Sequence, residues 1–135
     1  MKEATFKNIL HSYVVIFVLI LVKTIIYPYS FAPDELAKAI TLYDETQPMA
    51  SVFQIMFLFL MLIILIVSIF RLYKWKKNGR LLFLVSTIGF HLSILMFGYY
   101  VFDSIEYLLD GILGVLSGII LCAVYYTNLK TKFKK

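Results

Sequence analysis

Long uninterrupted apolar runs, not short alternations, set the pattern of this chain. Val52 to Phe70 is broken only by Gln54 and Ser68, which is longer than the stretch of about eighteen residues that separates a spanning helix from a buried core helix. Similar runs fall at about residues 8–28, 51–73, 81–102 and 104–127. Each can cross ~30 Å of hydrocarbon as a helix rising 1.5 Å per residue. The period-two alternation that a transmembrane barrel requires is missing. The pattern therefore predicts an all-α integral membrane four-helix bundle forming a single domain over residues 1–135, with connections at 29–50 and 74–80.

The polar breaks give the expected orientation. Lys2 and Lys7 precede the first run, Arg71, Lys74, Lys76, Lys77 and Arg80 separate the second from the third, and Lys130, Lys132, Lys134 and Lys135 follow the fourth. Asp34, Glu35, Asp44 and Glu45 dominate the first outer loop, and Asp103, Glu106 and Asp110 surround the second. Only Lys23 and Lys38 among thirteen basic residues fall on the acidic side, so the positive-inside rule places both termini in the cytoplasm. Trp75, Tyr27, Tyr29, Tyr73, Tyr99, Tyr100, Tyr125 and Tyr126 lie near the run ends, where aromatic rings anchor at headgroup level.

In the outer loop, Pro33 followed by Asp34 and Glu35 has the chemistry of a helix start, and Leu36, Ile40 and Tyr43 then share a face. A short interfacial helix is expected there, with Asp44 to Pro48 turning back into the bilayer. Ser30-Phe31-Ala32 resembles a signal-peptide cleavage site, but the apolar run before it is too long and Pro33 follows it. The first run therefore reads as an uncleaved anchor.

Composition narrows the function. Hydrophobic residues make up 61% of the chain and the net charge is +5. The basic residues flank apolar runs instead of striping a soluble surface, which argues against nucleic-acid binding. A single Cys122 leaves no disulfide within the chain. His11 and His91 lie on different runs without a metal-binding spacing, and no base accompanies a nucleophile, so no metal, cofactor or enzymatic activity is expected. The Lys-, Ile- and Phe-rich composition suggests a low-GC bacterium, with the inner membrane as the address.

Polar residues inside a bilayer are expensive and mark sites. Asp103-Ser104-Ile105-Glu106 resembles a capping box, which gives Asp103 and Glu106 a structural role. Asp110 lies two turns inside the run, on the face of Gly114 and Gly118. Gly111 and Cys122 extend that face. Gly111, Gly114 and Gly118 form a small-residue packing face, within the chain or as a homodimer seam. Lys23 matches Asp110 in depth, so an ion pair between them is expected, with Gln54 completing an outer polar cluster. In the alternative, Lys23 snorkels to the headgroups. His91, near the middle of its run, serves either as a packing imidazole bonded to a carbonyl of a neighbouring helix or as a relay or ligand site.

In size and layout the chain resembles the immunity proteins against pore-forming colicins, small four-helix inner-membrane proteins that bind a toxin's inserting helices. The resemblance covers layout and carries no motif. It implies a non-enzymatic protein whose partners, besides the lipid bilayer, are another membrane protein or further copies of itself. Regulatory and accessory-subunit roles fit the same features. The alternative is a small oligomeric transporter or channel lined by His91 and Asp110.

Overall fold

The computed structural model describes residues 1–26, 33–46, 52–97 and 104–133, with no strand among them. Helix α1 spans Glu3–Ile26, α2 Asp34–Thr46, α3 Val52–Tyr73, α4 Lys77–Phe97 and α5 Ser104–Tyr126, followed by a 3-10 segment, Asn128–Phe133. Helices α1, α3 and α5, of 24, 22 and 23 residues, are long and apolar enough to cross a membrane. At most 22% of the most apolar stretch of any of these three is buried by the rest of the chain. Exposed apolar surface on that scale belongs in lipid, and the chain is a helical membrane protein. Tyr27, Tyr29, Gly98, Tyr99, Tyr100, Asp103 and the Ser30-Phe31-Ala32 segment lie outside the described residues, as do the side chains of Leu36, Ile40 and Tyr43.

Two helix starts differ from expectation. Helix α1 begins at Glu3 rather than near residue 8, with the Glu3 carboxylate favourably placed in the first turn of the helix dipole. Helix α4 begins at Lys77 rather than residue 81, so the expected loop over 74–80 contracts to Lys74, Trp75 and Lys76. In the connection between α1 and α3, α2 does form after Pro33, where Ala37 N–H donates to Pro33 O at 2.9 Å, and it runs on to Thr46.

The tight α3–α4 turn has a specific hydrogen-bond pattern. Lys76 N–H reaches Arg71 O at 2.9 Å and Trp75 N–H reaches Leu72 O at 3.1 Å. This is the Schellman closure, in which the residue after the C-cap adopts the left-handed conformation. Glycine usually occupies that position, but here it is Trp75, with φ of 56°. The strain, roughly 1–2 kcal/mol for a residue with a Cβ, is offset by where the indole goes. Its ring lies 5.2 Å from Phe6 and 5.1 Å from Phe133. Trp75 is thus half-buried in the core rather than a headgroup anchor, because the left-handed turn aims it inward.

Helix α3 packs along α4, and α1 packs antiparallel along α5. The shared core gathers at the end that carries the basic segments: Phe6, Leu10 and Tyr13 of α1, Leu65 and Leu72 of α3, Phe83 of α4, Ile120, Ala123 and Val124 of α5, and Leu129 and Phe133 after it. Edge-on rings join the two pairs, Tyr13 to Phe83 at 5.4 Å and Phe17 to Phe90 at 6.1 Å. Arg80, read from sequence as a loop residue, lies in the first turn of α4 and ties it to α5 through Nη1 to Val124 O at 3.2 Å.

Candidate functional site

Helix α5 presents two faces of different character. Glu106, Ser117, Ile120 and Val124 are buried, with Leu113 half-buried among them, and their spacing of seven, four, three and four residues is that of one helical stripe. This stripe meets α1. Within it the Ser117 hydroxyl donates to Leu113 O of its own helix at 2.8 Å. Asp110, Gly114, Gly118 and Cys122, each four residues from the next, are all exposed, as is Gly111.

The stripe that meets α1 decides which acid pairs with Lys23. Lys23 Nζ lies 3.0 Å from Glu106 Oε1, and the two side chains are only 10% and 6% exposed. Thr24 Oγ1 donates to the same carboxylate oxygen at 3.2 Å. The expected pair with Asp110 does not form. Four residues beyond Glu106, Asp110 is turned by about 40° on a helix of 3.6 residues per turn, enough to carry it out of the α1 interface. Glu106, read from sequence as a capping residue, therefore carries the ion pair at the end of the α1–α5 pair away from the basic segments. Gln54 sits half-buried in the first turn of α3.

The glycine face also corrects expectation. A Cβ placed on Gly111, Gly114 or Gly118 would meet nothing within 4 Å, so these residues form no packing seam among the described residues. The seam lies on α4. A Cβ on Gly79 would come within 2.8 Å of the Leu72 backbone nitrogen and 2.9 Å of Arg71 backbone carbon, and one on Gly89 would run into Met61. Ser86 and Ser93 of α4 and Ser68 of α3 are buried with them. Each serine hydroxyl is satisfied on its own helix, by Phe83 O at 3.0 Å, Phe90 O at 2.6 Å and Leu65 O at 2.7 Å. Ser86-x-x-Gly89-x-x-x-Ser93 was the sequence signal for this seam, because serine lets helices approach almost as glycine does.

His91 is exposed, and its Nδ1 is 2.8 Å from Thr87 O, one turn back on its own helix. A carbonyl only accepts, so Nδ1 is the donor in this contact. The expected bond to a neighbouring helix is replaced by an intrahelical one. Lys23, His91 and Asp110 thus occupy three separate environments: a buried pair, an own-helix contact and an open face.

No protein-family model matches this chain, nor does any characterised protein or solved structure.

Proposed function

We propose that this protein acts by docking a transmembrane helix of a partner protein against the Asp110–Gly114–Gly118 face of α5, without catalysing a reaction. The observation that carries this reading is that a carboxylate and three glycines lie together, exposed, on a helix apolar enough to span the bilayer. Lipid chains cannot satisfy Asp110, and a charged residue near a helix centre costs about 2.5–3.5 kcal/mol on insertion scales. A partner helix supplying a donor removes that penalty, and the glycines allow its backbone to come close. An immunity-type, regulatory or accessory role uses the same surface. The transport alternative gains no support from His91, whose ring proton is directed to its own helix.

The address follows from the charge pattern. We place the chain as a four-helix bundle in a bacterial inner membrane with both termini in the cytoplasm. A cytoplasm-active reporter fused after Lys135 is expected to be active, and an active extracytoplasmic reporter at that point would reverse the orientation. The docking face is tested by in-cell photo-crosslinking from Val115, 64% exposed beside the glycines, against Ile63, 57% exposed on α3. A discrete adduct from Val115 alone, lost in Gly118→Leu, supports the reading. Equal labelling from both positions sinks it. An adduct of twice the chain mass identifies the partner as a second copy.

A further inference from the structure

At the basic end, three cations converge without a counter-ion among the described residues. Lys77 and Arg80 from the first turn of α4 and Lys130 and Thr131 from the 3-10 segment line a cavity of about 260 Å³, with Phe133 as its apolar wall. Neither Lys77 nor Lys130 forms an ion pair among the described residues, and Glu3, the acid of the neighbouring N-terminal turn, is engaged by Lys132. The Thr131 hydroxyl already donates to Asn128 O at 2.8 Å, so the free donors of the cavity are all cationic.

Arg80 is the fixed part of this site. Its Nη1 is held by Val124 O at 3.2 Å, and its guanidinium lies 5.5 Å from the Tyr125 and Phe133 ring centres. Its Nε is buried and has no acceptor among the described residues. An unmet buried donor beside two unpaired lysines calls for an oxyanion, and three positive charges held this close call for one of high charge density. A phosphate satisfies both demands, since it offers several strong acceptor oxygens to a guanidinium edge and to point-charge ammonium groups.

We propose that this cavity binds the phosphate of an anionic glycerophospholipid headgroup. Phosphate is the shared chemistry of lipid and free ion. The lipid is favoured because the cavity opens beside the ends of two helices, at the level where headgroups lie, and basic pockets between helices at that level take anionic lipid heads. The site is separate from the α5 glycine face and does not depend on the docking reading.

Trp75, the chain's only tryptophan, packs with its ring tilted against Phe133 of the cavity wall, so its fluorescence reports occupancy. The intact protein in neutral detergent is titrated with phosphatidylglycerol, phosphatidylcholine and inorganic phosphate. A saturable response to phosphatidylglycerol and none to phosphatidylcholine is expected. Lys77→Gln with Lys130→Gln should weaken binding about thirtyfold, from about a factor of five for each lysine near a charged surface. Lys2→Gln with Lys38→Gln removes the same charge elsewhere and should leave the affinity within about twofold. An unchanged affinity in the Lys77/Lys130 variant would overturn the site. Saturation by inorganic phosphate at lower concentration than by lipid would overturn the lipid assignment, and no response to any of the three would overturn both.

Discussion

Gly79 and Gly89 of α4 sit against α3 with no room for a methyl group, whereas Gly111, Gly114 and Gly118 of α5 have nothing from the described residues within 4 Å. The two regions share the same residue type and the same helical setting, yet one is packed against a neighbouring helix and the other is open among the described residues. The difference comes from what surrounds each glycine. On α4 the glycines alternate with buried serines whose hydroxyls bond their own helix, so the whole strip is small and self-satisfied. On α5 the glycines share their strip with an ionisable, exposed Asp110. Close approach separates the two sets of glycines, and under the proposed docking the carboxylate beside the α5 glycines is what a partner helix would engage.

The largest effect expected from this comparison is at the ion pair that fixes which face of α5 meets α1. Lys23→Met leaves the Glu106 carboxylate buried without its ammonium, which should cost ~3–5 kcal/mol, and combining it with Glu106→Leu should recover much of the loss. Asp110→Leu should show no coupling to Lys23 in a double-mutant cycle of detergent unfolding. Coupling to Asp110 as strong as to Glu106 would mean that α5 is rotated from the arrangement described.

Gly79→Ala comes next. Its methyl group meets backbone atoms of Leu72 and Arg71, which cannot move without opening the Schellman turn, so a loss of about 1–3 kcal/mol in unfolding free energy is expected. A variant as stable as the parent would show that the α3–α4 turn is looser than the contact implies. Gly89→Ala should cost less, about 1 kcal/mol, because the obstruction is the flexible Met61 side chain. Met61→Ala in the same chain should remove most of that increment. Failure of this rescue would place the seam elsewhere on α4.

Much of the architecture was legible in the sequence because bilayer thickness imposes a length on apolar runs. Val52 to Phe70 announces α3 by length alone, and Pro33-Asp34-Glu35 announces the start of α2. The site was less legible. Depth along a helix can be counted from the sequence, and it put Lys23 level with Asp110, but Glu106, the acid Lys23 meets, lies only one turn away. Choosing between them needs the rotation of α5 about its axis, which is set by packing of Ser117, Ile120 and Val124 against α1. The motif Gly114-x-x-x-Gly118 drew attention from the serine-containing strip of α4, where the packing is. Trp75 was unreadable for a different reason: a left-handed residue at a helix end is expected to be glycine, and nothing local marks a tryptophan for that conformation.

The central claim is that the α5 glycine face is unused by the chain's own fold, and the melting of Gly118→Leu in detergent, at dilutions where the protein is monomeric, tests it most directly. The added side chain enters open space, so the variant should unfold within about 0.5 kcal/mol of the parent, as surface substitutions usually do. A loss equal to that of Gly79→Ala would show that the face is packed within the chain and would contradict the account.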